Sequence, residues 1–249
     1  MTPLLALLAL AASGANHSLM GPRGSHELGR EQAVEIANVQ YDLALDVTKR
    51  DTASGTVRVT FMRAGGGDVI LDFRGYSLTG VVVNGNRAPS AEFNGHHLRL
   101  PESALRDGKN TAVMRFAAPI APAGASIIRF TDETDKRDYL YTLLVPSDAN
   151  LLFPCFDQPD LKAAFGLSLA VPRGWRALSN GAVRDSTNNT DYTRFAFAST
   201  KPISTYLFAF AAGPYTVLRS SASSADGGPS PVDAVPPPPI SVWGWASRA

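Results

Sequence analysis

The stretch Phe153-Pro154-Cys155-Phe156-Asp157-Gln158-Pro159-Asp160-Leu161-Lys162-Ala163 marks a change of direction in the chain. Pro154 and Pro159 each lack an N–H and bias the preceding residue away from the helical region, which excludes a helix interior or a central strand here. Between them, Asp157 stands where a carboxylate can accept backbone N–H groups and lock a turn. Pro154, Asp157 and Pro159 therefore read as a structural corner. A catalytic Asp157 would need an acid or base partner, and no second titratable group stands at a suitable local spacing.

On either side of this corner the pattern has a period of two, the mark of half-buried strands. Tyr41, Leu43, Leu45 and Val47 alternate with polar or small residues, and so do Val57, Val59 and Phe61. The polar link Thr48 to Thr56 makes these two runs a hairpin. Val69, Leu71 and Phe73 continue the pattern, and Val81-Val82-Val83 runs into Asn84-Gly85, a dipeptide that accepts positive φ and favours a tight hairpin turn. Leu98 to Leu100, Ala112 to Phe116 and Ser126 to Phe130 are further strands. After the corner, Phe165, Leu167, Leu169 and Val171 share a face, as do Phe195 with Phe197, and Tyr206 with Phe208 and Phe210. A short helix is expected near Glu31 to Ile36. So many strands with few helical stretches predict an all-β domain, an antiparallel sandwich or saddle closing over one core.

At 249 residues the chain suits one large β domain. Hydrophobic residues make up 45% and charged residues 18%, which is ordinary globular composition. The net charge of +1 gives no electrostatic reason to expect nucleic acid or an anionic membrane as partner. Cys155 is the single cysteine, so no internal disulfide and no multi-cysteine metal site can form. It reads as a small apolar core residue, since the four histidines (His17, His26, His96, His97) lie far away in sequence. His96 and His97 are adjacent, so on a strand they point to opposite faces and cannot chelate one ion together. They read as surface or partly packed residues.

The ends differ in composition. Leu4 to Ala12 is unbroken apolar and is followed by Ser13-Gly14-Ala15, a small-x-small pattern that reads residues 1–15 as a signal peptide and the protein as exported, periplasmic or extracellular. The run is too short to span a bilayer. No Lys or Arg precedes it, which leaves a misassigned start and a cytoplasmic location as the alternative. Residues 220–239 are rich in Ser and Pro and end in four prolines, a long loop whose last part is extended. Ile240, Val242 and Trp243 beyond it read as a final strand. Asn16-His17-Ser18 and Asn188-Asn189-Thr190 fit the glycosylation sequon and are given no role.

Read together, Tyr41-Asp42-Leu43, Tyr139-Leu140-Tyr141-Thr142, Pro146-Ser147-Asp148-Ala149, the corner at 153–163, Pro172 with Trp175, Leu178-Ser179-Asn180-Gly181, Lys201-Pro202-Ile203-Ser204-Thr205-Tyr206 and Ala211-Ala212-Gly213-Pro214 occur in an order that resembles the N-terminal domain of the aminopeptidase N family of zinc metallopeptidases. The likeness covers about Ala33 to Tyr215, and the domain is taken as 33–249. It implies a β domain packed on a thermolysin-like catalytic domain, which is then its partner, with peptide as substrate only in that context. The family's Gly-x-Met-Glu-Asn and His-Glu-x-x-His motifs belong to that second domain. Neither stands in this sequence, and no two histidines are spaced as His-x-x-x-His. The resemblance therefore implies no cofactor in this chain, zinc in the absent catalytic domain, and a truncated or partial zinc aminopeptidase that is inactive as it stands. The family's one N-domain contact to the substrate amine, a Glu or Gln shortly before the corner, aligns with Val145, which neither accepts a hydrogen bond nor carries charge. Two other readings are a free-standing β-rich binding or scaffold module and an unrelated adhesion sandwich. An exposed apolar docking face is expected if the first reading holds.

Overall fold

The computed structural model describes residues 35–219 and 241–244. The segments 1–15 and 220–239 lie outside these residues. So does the helix expected near Glu31, apart from its last two positions, of which Ile36 already opens the first strand. Seventeen strands are described. Those that build the main sheet are β1 (Ile36–Asp46), β2 (Thr52–Arg63), β4 (Ser77–Val83), β5 (Asn86–Arg87), β8 (Gly108–Ala121), β9 (Ile127–Thr131), β10 (Asp138–Thr142), β11 (Ala163–Pro172), β12 (Arg176–Ser179), β13 (Val183–Asn188), β14 (Tyr192–Phe197) and β15 (Phe210–Gly213). Their order is β12-β15-β10-β9-β8-β2-β1-β11-β14-β13, with β4 added on β8 and β5 on β4. The result is an all-β saddle approaching a closed barrel.

Period-two patterning sets the register. Leu43 lies opposite Val57 on β2 and Leu167 on β11, and Val57 lies opposite Met114 on β8. All four are buried, so one row of apolar side chains crosses four strands on the inner face. Gly55 belongs to the next such row, between Leu45 and Phe116. A Cβ there would stand 2.8 Å from the Ala44 carbonyl oxygen and 2.9 Å from both Leu45 Cδ2 and Phe116 Cζ, so glycine is what lets the neighbouring backbone and the two large side chains come this close. The β1–β2 hairpin forms as expected. The turn at Asn84-Gly85 does too, with Val83 opposite Asn86 and φ of 50° and 85° at its two central residues.

Two pairings depart from a purely antiparallel sheet. β1 and β11 run parallel over eight residues, and β8 and β9 run parallel where Ile120 faces Ile127. Side-chain alternation is the same for both directions of pairing, so periodicity could not tell them apart. β1 and β11 are joined by the whole middle of the chain, which serves as the long crossover that a parallel pair needs. The expected strand through Tyr206, Phe208 and Phe210 is also shorter than predicted. Residues Thr205–Leu207 form a 3-10 turn, and β15 begins only at Phe210. Ser204 Oγ donates to Pro159 O (2.5 Å) and Thr205 Oγ1 to Asp157 Oδ1 (2.7 Å), and these bonds draw the chain into the corner instead of along a sheet.

A small second sheet of β3 (Val69–Asp72), β7 (His97–Leu100) and β6 (Glu92–Phe93) packs its apolar residues into the same core. The expected last strand is present as β17 (Ser241–Gly244), antiparallel to β16 (Thr216–Arg219).

Candidate functional site

β10 ends at Thr142, and the chain then runs through Leu143–Asp148, a 3-10 turn at Ala149–Leu151, and the corner before entering β11 at Ala163. The corner is anchored by apolar packing. Phe153 meets Tyr41, Phe165 and Phe208 at ring-centroid distances of 5.6, 6.2 and 5.6 Å, and Phe156 meets Phe61 edge-on at 5.4 Å. Backbone pairing adds to this: Asp72 N donates to Cys155 O (2.7 Å) and Cys155 N to Asp72 O (3.1 Å), stitching the second sheet to the corner.

A polar network runs through this apolar setting. Asp157 is 8% exposed. Its Oδ2 accepts the Asn150 backbone N–H (3.1 Å) and Asn150 Nδ2 (2.7 Å), while Oδ1 accepts the Thr205 hydroxyl. Its own N–H donates to Asp72 Oδ2 (3.1 Å), and Asp72 Oδ1 lies 3.0 Å from His97 Nδ1. Burial raises the Asp157 carboxyl above its ordinary range, outweighing the bonds from Thr205 and Asn150 that favour the charged form. Tyr41 is fully buried and its hydroxyl oxygen accepts the Phe156 N–H (2.9 Å). Burial first, and the neighbouring Cys155 second, push its phenol well up. Cys155 is wholly enclosed, and burial holds its thiol well above the usual value, so the reactive thiolate is suppressed.

Outside the corner, Arg74 grips the loop. Its Nε donates to Asn150 Oδ1 (2.6 Å), Nη2 to Asp148 Oδ1 (3.2 Å), and its backbone N to Asn150 O (2.8 Å). The segment so held presents Tyr141, Leu143 and Val145, which are 39%, 52% and 58% exposed, while Leu144 points into the core. The Val145-Pro146 peptide is cis. Tyr141 also walls a cavity of about 310 Å³ with Arg50, Ile128 and Phe130.

Pro154, Asp157 and Pro159 thus lie at the corner, with Pro154 and Asp157 buried and Pro159 exposed, and Val145 lies on the surface loop ahead of them. Asp72, Asn150, Thr205 and Arg74 were not singled out from the sequence. His97 is a correction: it is 3% exposed, because it stands in register with the buried Asp72 of β3 and its Nδ1 meets that carboxylate. A signal for Asp72 did exist, since it ends the run Val69-Ile70-Leu71-Asp72 in which every residue is buried, and a buried carboxylate requires partners. Among the described residues no three His, Cys, Asp or Glu gather as metal ligands, and no helix is long and apolar enough to cross a membrane.

Residues 37–207 match the model of the Peptidase M1 N-terminal domain. The chain belongs to the M1 peptidase family. It is 31% identical over 207 residues to aminopeptidase N of Streptomyces lividans, covering 80% of this chain and 23% of that protein. Aminopeptidase N of Acetobacter pasteurianus is 33% identical over 170 residues, which are 65% of this chain and 47% of that one. The glutamyl aminopeptidase of Rattus norvegicus is 34% identical over 96 residues, 38% of this chain and 10% of the relative. The chain therefore spans less than half the length of each of these M1 aminopeptidases and corresponds to their non-catalytic N-terminal domain.

Proposed function

We propose that this chain, from about residue 33 to 249 with a long loop at 220–239, is the N-terminal β domain of a longer zinc aminopeptidase that removes N-terminal residues from peptides. The strip Tyr141, Leu143 and Val145 is the face that packs against the catalytic domain at the mouth of its cleft. One observation carries this reading: alternate residues from 141 to 145 are apolar and exposed, at the end of β10 and on the loop after it that Arg74, Asn150 and the corner hold in place. A fixed apolar surface of this kind calls for a partner to cover it.

In this reading zinc and its activated water belong to the catalytic domain, because the donors of the corner do not suit a metal. Both Asp157 oxygens are taken by Asn150 and Thr205, Asp72 is shared between His97 and the Asp157 N–H, and the Cys155 thiol is held in its protonated form. Asp157 acts as a structural residue. Val145 offers the substrate an apolar wall where a carboxylate or amide side chain would otherwise greet the peptide amine. Export is part of the proposal, supported by the apolar run at 4–12 and the small residues after it.

The test is direct. The purified 249-residue chain, incubated with zinc and an N-terminal aminoacyl reporter, is expected to show no turnover and no stoichiometric metal. Zinc-dependent hydrolysis by this chain alone refutes the assignment. In extracts of the source organism, antibodies to the corner are expected to detect a species far heavier than this chain.

A further inference from the structure

On the outward face of the main sheet, built from strands other than those that carry the apolar strip, lies a groove of about 740 Å³ between β4, the β4–β5 hairpin and β8. β4 pairs with β8 so that Thr79 faces Arg115 and Val82 faces Val113, with one extra residue on β4 between the two pairs. Gly80, at φ 64°, takes up this bulge. Across the hairpin Arg87 faces Val82, so Arg87, Val82 and Val113 form one cross-strand row. Arg115 stands two residues along β8 from Val113 on the same face, about 7 Å away. Pro89 also lines the groove, together with Leu78 and Ala88, which pack against the core.

Some of the described arginines are compensated by a carboxylate and others are not. Arg50, Arg63, Arg74, Arg99 and Arg129 each meet a carboxylate. Arg87 and Arg115 make no ion pair and no side-chain hydrogen bond with any described residue. Arg115 lies over the bulge: a Cβ on Gly80 would stand 3.1 Å from its Nη2 and 3.4 Å from its Nε. Two uncompensated guanidiniums beside a valine floor offer bidentate recognition of an oxyanion next to an apolar bed. The volume falls within the roughly 300–1,000 Å³ of clefts that hold small ligands.

We propose that this groove binds an anionic amphiphile, a medium-length aliphatic carboxylate, with its chain on Val82 and Val113 and its head between Arg87 and Arg115. Acetate would lack the chain and decanol the charge, so neither alone should satisfy the site. The assignment is independent of the aminopeptidase reading.

The test is titration of the full chain with decanoate below its micelle concentration, followed by calorimetry and by amide shifts of β4 and β8. Saturable one-to-one binding is expected. Arg115→Gln and Arg87→Gln, both at exposed positions, should each weaken it roughly tenfold, the loss of one charge-assisted contact. Val113→Thr, isosteric on a half-buried site, should weaken decanoate and leave the weak acetate response unchanged. Arg176→Gln, on the edge strand β12, should have no effect. The proposal is overturned if decanoate does not saturate, if it binds equally well to both arginine variants, if decanol shows the same arginine dependence, or if Arg176→Gln weakens binding as much as Arg115→Gln does, since net charge alone would then explain the response.

Discussion

Replacing Asp157 separates the two things a buried carboxylate does at the corner. Asp157→Ala removes the acceptor of three donors: the Asn150 N–H, the Asn150 amide and the Thr205 hydroxyl, the last on a residue only 1% exposed. Leaving a buried donor without a partner costs about 1–3 kcal/mol, and water can reach the half-buried Asn150 more easily than Thr205, so the expected loss is about 3 kcal/mol in all. Asp157→Asn keeps an oxygen where Oδ2 accepts both Asn150 donors and turns an NH2 toward Thr205, whose hydroxyl can rotate to accept it. That variant should lose only about 1 kcal/mol. The two also differ in their pH dependence. The folded-state pKa of Asp157 is raised, chiefly by burial, so the folded protein holds this proton more tightly than the unfolded chain does. Its contribution to stability is therefore complete below the unfolded value of 3.8 and is lost as the pH rises through the raised folded value. Urea unfolding followed by intrinsic fluorescence, at neutral pH and again in mild acid, supplies both measurements. On acidification wild type should gain stability relative to Asp157→Asn. Equal destabilisation by Ala and Asn, or a difference between wild type and Asn that does not change with pH, would refute the reasoning.

Three further outcomes are expected. Tyr41→Phe removes the acceptor of the buried Phe156 N–H and should cost about 1–2 kcal/mol in urea unfolding, with faster exchange of that amide in a hydrogen-exchange experiment. Gly55→Ala drives a Cβ to within 2.8 Å of the Ala44 carbonyl oxygen and 2.9 Å of the Leu45 and Phe116 side chains and should cost about 1–3 kcal/mol, read as a lowered melting temperature; a neutral result would mean that the strand backbone as well as the two side chains shifts freely. The isolated chain should self-associate through the strip at 141–145, and the double substitution Leu143→Ser with Val145→Lys should shift light scattering toward monomer while leaving the urea midpoint within about 0.5 kcal/mol of wild type, because both side chains are more than half exposed.

The inner face of the sheet was legible because it rests on strict alternation. Tyr41, Leu43 and Leu45, or Phe165, Leu167 and Leu169, name their own side of the sheet wherever the neighbouring strand comes from. Alternation does not carry the direction of that neighbour, so the parallel pairing of β1 with β11 was invisible. Thr205–Leu207 misled for a related reason. Phe208 and Phe210 keep an apolar spacing of two, yet Ser204 and Thr205 spend their hydroxyls on Pro159 and Asp157, and this local competition turns the chain before a strand can begin. The network around Asp157 was hidden because its members come from residues 41, 72, 97, 150 and 205, and only the finished topology places them together.

That convergence explains how the chain's most distinctive motif can be so specific in sequence without performing chemistry. Each element brought to the corner carries one polar group that would be costly if left alone in an apolar surround: the Phe156 N–H, the Asp72 carboxylate, the Thr205 hydroxyl and the Asp157 carboxylate. Each is matched by partners within the network, so these contacts form together or leave a buried group unpaired. Such a set fixes the relative placement of β1, the small sheet, the turn at 205–207 and the 3-10 turn at 149–151. Through Asn150 and Arg74 it fixes the loop that holds Leu143 and Val145 outward. The sequence constraint therefore follows from where the loop must stand, and it would apply equally to a domain that never touched a reacting atom.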